Sequence, residues 1–371
     1  MRETLNPSSI LFSPNEDKAL VYLNWFRPHF EAALEGYLEA KVKEAANINP
    51  ETVVLVEEIK RFAASGGKRV RPAFLYSGYV AAGGLSHDAA IFASLSVELI
   101  HIFALIHDDI IDNSDLRRGK PTTHRIFEKF HEVSKLNGDP KQYSLSTAIL
   151  VGDLALSFAE QILTEAPFPQ ERLRRARAFF DLMKIQVIYG EYLDVLGGYK
   201  KEISEDEVLQ ILDLKTARYT VERPLHIGAI LAGAEPKVLE VVSAYAIPLG
   251  QAFQLQDDIL GTFGDEVQLG KPNDSDIKEG KKTLLVAKAL SAASEKEKKI
   301  IFRVLGNQRA TSLEIKEFKE VLQNTGAYDY AVALAKKLIV QAREVVEEAD
   351  LVPEGKDYLL AASDYLLNRK L

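Results

Sequence analysis

Apolar residues recur every three to four positions along almost the whole chain, the period that gives an α-helix one oily face. Alternating β-branched runs bounded by turn residues, the mark of strands, are scarce. The pattern predicts helices over 18–46, 51–64, 73–82, 87–111, 144–164, 169–196, 204–232, 236–263, 281–293, 295–305, 312–325, 328–350 and 355–368. Turn-formers stand between them: "AAGG" from Ala81, "NGDP" from Asn137, "GGYKK" from Gly197 and "VPEG" from Val352. None of these breaks is long or biased enough to be an interdomain linker. The expected architecture is therefore all-α, a single large helical domain over 1–371, with 1–17 as a loose extension. Pro224 and Pro248 fall inside predicted helices, where a ring lacking an N–H removes a backbone bond and bends the axis.

Two of the oiliest helices end in acid. The stretch "LIHDDIIDNSDLRRGK" (105–120) packs four aspartates, Asp108, Asp109, Asp112 and Asp115, at the end of an apolar run and follows them with three cations. On a helix Asp108 and Asp112 share a face. Two like charges about 4 Å apart repel by roughly 4 kcal/mol at an effective dielectric near 20, so hydration or cations must compensate. The same applies to Asp257 and Asp258 in "AFQLQDDILGTF". One such pair reads as a solvated helix end; two, each closing an apolar helix, point to a bound hard cation. Oxygen-only ligands suit Mg²⁺, which takes one or two carboxylates together with substrate phosphates.

Composition adds mainly exclusions. The 371-residue chain is 47% apolar and 27% charged, as expected of a globular protein with a sizeable core. Its net charge of −8 argues against a surface that coats nucleic acid, and an anionic ligand must be met by local cations or metal. The absence of cysteine excludes disulfides, thiolate metal sites and a cysteine nucleophile. The first residues lack a signal-peptide pattern, and the oiliest segment, 89–107, is interrupted by Glu98 and His101. It is read as a buried helix rather than a membrane span, and a cytoplasmic protein is expected.

Cations near glycine or helix ends occur in "GGKRVRP" (66–72), "LRRGKP" (116–121), "LKTARYT" (214–220) and "LGKPNDSDIKEGKKT" (269–283). Glycine lets backbone approach a phosphate, and lysine and arginine neutralise it. Neither "GGKR" nor "EGKK" is a P-loop. "ERLRRAR" (171–177) has no glycine or carboxylate cluster beside it and is read as a solvated helix face.

In order, "GGKRVRP", "HDDIIDNSDLRRGKPTTH", "KTA" and "FQLQDDILGTFGD…GKPNDSDIKEGKKT" resemble the trans-isoprenyl diphosphate synthases, or polyprenyl synthetases, from about residue 51 to the C-terminus. The resemblance implies the isoprenoid synthase fold, with helices around a central catalytic cavity, usually as a homodimer. It implies three Mg²⁺ ions joining two facing aspartate walls to an allylic diphosphate (dimethylallyl, geranyl or farnesyl). By motif position, Asp108 and Asp112 bind metal from one wall and Asp257 from the other, with Asp109 and Asp258 supporting. Lys68, Arg71 and His101 hold isopentenyl diphosphate, helped by Arg118. Arg117, Lys215, Lys271 and Lys281 contact the allylic diphosphate. Thr216 and Gln254 match polar positions near the developing carbocation and, with Lys215, form the expected catalytic set.

Phe103, five residues before Asp108, resembles the floor of a short-chain cavity, which implies a fifteen- to twenty-carbon product, geranylgeranyl rather than farnesyl diphosphate. No histidine base is needed, so His107 is read as structural. The second motif departs from the fuller pattern by Gly261 in place of a third aspartate, with Asp276 as a candidate helper. The 131–144 loop reads as longer than usual. The alternatives are a terpene cyclase, against which "QLQDDILG" and "GGKRVRP" speak, and a non-catalytic regulatory subunit, which would be expected to lose first-motif acids.

Overall fold

A computed structural model describes residues 18–264 and 274–368. The predicted elements form with small shifts: α1 Lys18–Ile48, α2 Val53–Ala64, α3 Val70–Ala81 and α4 His87–Ile111. A two-stranded hairpin of β1 (Leu116–Arg117) and β2 (Lys120–Pro121) leads into α5, Thr123–Val133. Then come α6 Pro140–Glu165, α7 Gln170–Tyr199 and α8 Glu205–Leu212. A π-helical segment, Asp213–Glu222, joins α8 to α9, Arg223–Ala232. The long α10, Pro236–Phe263, is followed by α11 Ser275–Glu279, α12 Leu284–Ala292, α13 Glu295–Val304, α14 Ser312–Asn324, α15 Ala327–Glu348 and α16 Pro353–Asn368.

The all-α expectation holds, and α4 lies in the middle of the fold. Leu95, Leu99, Ile100, Ile102 and Ile106 are sealed against α3, α6 and α1, in a main core that also takes α9, α10 and α16. A smaller core joins the end of α10 to α11–α15 through Ile259, Ile277, Leu285 and Phe318. Three helices, α4, α6 and α10, are long and apolar enough to cross a membrane by length and composition. In α4, 78% of the most apolar window is buried inside the fold, against 44% in α6 and in α10. The oiliness of α4 is thus used by the core, as the sequence reading expected. That of α6 is partly outward: Ile149 and Leu150 on α6, and Ile185, Ile188, Tyr189 and Tyr192 on α7, are exposed.

Three details differ from the sequence reading. Residues 131–144 are not a long loop: α5 runs to Val133 and α6 begins at Pro140 behind Asp139, whose side chain accepts from the Lys141 N–H as an N-cap. Buried His131 lies 3.2 Å from the Asn137 carbonyl oxygen and helps close that short connection. The predicted helix 204–232 is one rod with a wide middle. Pro224 would obstruct a continuous α-helix there; instead the Arg223 N–H reaches back five residues to the Arg218 carbonyl, and Pro224 enters α9 at its first turn, where no N–H is required. Finally, "ERLRRAR" is not simply solvated, since Arg172 and Arg175 donate to the Leu231 and Ala234 carbonyls at the end of α9.

Candidate active site

The end of α4 carries the first acid cluster to the mouth of the helix bundle. Asp112 caps α4, and β1 folds back so that Arg117 spans two carboxylates, donating from Nη2 to Asp108 (2.9 Å) and from Nε to Asp109 (2.8 Å). Burial pushes the Asp109 carboxyl up to about 6 in spite of Arg117, and its Oδ2 is enclosed with no hydrogen-bond partner. Asp112 is likewise raised to about 6, by burial first, then by Asp108, with Glu279 and Asp194 adding repulsion against the pull of Lys215.

The other wall is built by two close approaches of backbone. A Cβ on Gly190 of α7 would lie 2.8 Å from the Lys215 nitrogen, and one on Gly250 of α10 would lie 2.4 Å from the Ala217 Cα. Both helices therefore pack directly onto the π segment. Within about two turns after each glycine come the functional groups. Glu191 and Asp194 meet the Lys215 ammonium at 2.9 and 2.7 Å, with Asp108 at 3.8 Å. Burial alone would lower the Lys215 value, but Asp194, Glu191 and Asp108 outweigh it and hold the amine charged. On the α10 side, Thr216 donates to Gln254 (2.9 Å) and Gln254 donates to Asp258 (2.9 Å). Asp258 in turn pairs with Lys281 at 3.2 Å. The charge on Lys281 is stabilised by Asp258 first and, against burial, by Asp276 and Asp194 as well.

The Lys215–Asp108 approach of 3.8 Å brings the two acid-bearing helix ends to one region of the fold, and their electrostatics are coupled. Asp112 on the first wall feels Glu279 beside the second, and Asp194 acts on Lys215 and Lys281 alike. Asp257, half-buried, precedes Asp258 on α10. The place of the missing third aspartate is filled: a Cβ on Gly261 would fall 2.5 Å from the Asp276 Oδ2, so the carboxylate of α11 occupies the room that a side chain at 261 would need.

A third cluster lies behind the first wall. The Arg71 guanidinium stacks 4.7 Å over Tyr219 and lies 3.1 Å from His101. Burial, and then Arg71, Arg118, Arg117 and Arg69, hold His101 far below its ordinary value, so it is a neutral imidazole among cations. Arg118 approaches the glycine loop, its guanidinium 3.4 Å from the position of a Cβ on Gly67. Lys68 lines an apolar hollow of about 130 Å³ with Arg27, Phe74 and Phe253. Lys271 lies outside the described residues.

Sequence reasoning missed several members. Glu191 and Asp194 are two among many charged residues of α7, so nothing in their spacing separated them from solvated acids. Arg69 is the strut of the glycine loop: its backbone is left-handed (φ 53°), which costs a non-glycine residue about 1–2 kcal/mol. Its buried guanidinium offsets that by bonding Glu98, Glu31 and the Ala63 carbonyl. Among the described residues no three carboxylates or imidazoles already form a ready-made metal cage.

Residues 53–322 match the family model described as Polyprenyl synthetase. A geranylgeranyl diphosphate synthase of Sulfolobus acidocaldarius is 36% identical over 311 residues, 82% of this chain and 88% of that protein. A geranylfarnesyl diphosphate synthase of Aeropyrum pernix is 33% identical over 82% of this chain and 91% of its own. Among solved structures, geranylgeranyl pyrophosphate synthase from Corynebacterium glutamicum, complexed with isoprenyl diphosphate and magnesium, superposes with a TM-score of 0.87 at 34% identity, covering 94% of this chain and 99% of that one.

Proposed function

The chain belongs to the polyprenyl synthetase family and is a short-chain prenyltransferase, and from that premise we propose how its residues divide the reaction. Isopentenyl diphosphate is condensed head-to-tail with an allylic diphosphate (dimethylallyl, geranyl or farnesyl), giving geranylgeranyl diphosphate as the main product. The observation that carries this reading is the interleaving of acids and cations where the two aspartate-bearing helices end, with Lys215 reaching Asp108 and Lys281 reaching Asp258.

The site suits Mg²⁺. Burial and the neighbouring Asp108 charge disfavour ionisation of Asp109 and Asp112, Asp109 keeps an unpartnered oxygen, and the donors are all hard oxygens. Asp108 and Asp112 from α4 and Asp257 from α10 would hold it, supported by Asp109, Asp258 and Asp276; three ions per site are proposed from the family resemblance. When bound, the metal neutralises the departing diphosphate as a Lewis acid.

The chain's own residues do the remainder. Arg117, Lys215 and Lys281, with Lys271, grip the allylic diphosphate and stabilise the charge that builds as its carbon–oxygen bond breaks. Arg71, Arg118 and Lys68 hold isopentenyl diphosphate, with neutral His101 orienting Arg71. Its double bond then attacks the allylic cation, forming the new carbon–carbon bond. The adjacent proton leaves to the released diphosphate, which restores a double bond. The linked Thr216 hydroxyl and Gln254 amide face the cation with their oxygen dipoles, and the apolar walls exclude water. Phe103 bounds the cavity. The outward apolar residues of α6 and α7 are the proposed homodimer face, since exposed large apolar side chains of this kind mark subunit contacts.

Radiolabelled isopentenyl diphosphate, supplied with each primer in turn and with or without Mg²⁺, tests the reading. Metal-dependent incorporation is expected, and incorporation that survives chelation would refute it. With Phe103→Ala the product should lengthen by at least one five-carbon unit on chromatography. The pH dependence has a definite sign. The Asp109 and Asp112 values lie above the ~3.9 of an unfolded aspartate, so their ionisation destabilises the metal-free fold, a cost absent below about pH 4 and complete above about pH 6. Metal binds the ionised form, so the rise in melting temperature produced by Mg²⁺ should be clearly smaller at pH 5 than at pH 7.

A further inference from the structure

The prenyltransferase reading makes Phe103 of α4 the floor beneath the first aspartates, and what stands behind that buried ring is specific. One turn later on the same face, the His107 ring lies against it with centroids 4.6 Å apart, tilted by 59°. His107 is backed by α6: its Nε2 is 3.3 Å from the Ile149 carbonyl oxygen and 3.7 Å from the Asp153 carboxylate. Directly opposite is Gly152, where a Cβ would fall 2.4 Å from Nε2 and 2.5 Å from Cδ2. Glycine weakens the interior of a helix, so one buried at mid-helix calls for a packing reason. Here the reason is the imidazole, which fills the gap that the absent side chain leaves.

We propose that His107 and Gly152 are positioning residues for chain length: the bare backbone of α6 at Gly152 seats the His107 ring, and that ring props Phe103 across the cavity. The proposal rests on the prenyltransferase reading and adds to it what fixes the position of the floor. A stop made of one aromatic ring is only as firm as its support, because a phenylalanine side chain with space behind it can rotate away from a growing apolar chain. The stack α6, His107, Phe103 is continuous, so a change at its base is transmitted to the floor. His107 is used here by shape and contact, not as a proton carrier.

The experiment sizes the products of the full-length enzyme from labelled isopentenyl diphosphate and farnesyl or geranyl primer. His107→Ala removes the prop, and the main product should lengthen by one five-carbon unit. Gly152→Ala pushes the ring by roughly an ångström toward Phe103, and the product should shorten by one unit. The double variant His107→Ala/Gly152→Ala, in which the added methyl has no ring to meet, should match His107→Ala alone. Product sizes unchanged in an enzyme that still incorporates label would overturn the proposal and leave the prenyltransferase reading intact. Absence of incorporation by the unaltered chain with every primer would instead remove that reading. The His107 side chain is 27% exposed, so its truncation is expected to leave the fold standing and carries the test even if alanine at 152 does not fold.

Discussion

Replacing Asp108 with asparagine should lower the rate of isopentenyl diphosphate incorporation by about 10²–10³-fold, the usual effect of deleting one preorganised electrostatic contact to the transition state. The amide keeps the shape and removes only the charge. Asp108 is where the Arg117 bridge and the Lys215 cluster meet, at 2.9 and 3.8 Å, so its loss changes how both cations are held. The fold should not suffer, because Arg117 retains Asp109. Single-turnover measurement at saturating Mg²⁺ separates lost metal affinity from lost chemistry. A rate within a few-fold of the parent would take Asp108 out of the metal wall.

Lys215→Met should act on rate and stability together. Methionine keeps most of the apolar stem, but Glu191, Asp194 and Asp108 are left facing one another without their shared cation. Stranding a partner of a buried ion pair costs about 3–5 kcal/mol; with the Lys215 side chain 30% exposed, a loss of about 2 kcal/mol is the better expectation. It is read as a lower melting temperature. Turnover should fall about 100-fold, because the cation also faces the allylic diphosphate. Adding Asp194→Asn separates the two effects: the melting temperature should partly recover while turnover stays low. Recovery of both would mean that Lys215 serves the fold alone.

The extent to which this was legible in the sequence follows from how local each signal is. Helices α4 and α10 are long, apolar and strongly periodic, and their predicted ends at 111 and 263 coincide with the observed ones. The aspartates at those ends stood out because acid following an oily face violates the local pattern. Helix α5 escaped because its apolar stripe is short, with little beyond Ile126, Phe127 and Phe130, and the hairpin before it has only two residues per strand. The π segment was invisible because its apolar spacing continues that of α8; only Pro224 hinted at a break, and it reads equally well as a kink. Glu191, Asp194 and Glu98 acquire meaning only through cations distant in the chain. The compensation of Gly261 by Asp276 likewise needs the three-dimensional return of α11.

The wide turns between Asp213 and Glu222 impose one further condition. Each residue of an ordinary helix advances the side chains by about 100°, so restoring regular winding there by deleting a single residue would swing everything on its amino-terminal side by that angle relative to α9. Lys215 and Thr216 would then point at different neighbours. Gly190 and Gly250, which fit the present winding so closely, would no longer face the atoms they accommodate. Apart from Lys215 and Thr216, this stretch should therefore accept changes of residue type far more readily than changes of length.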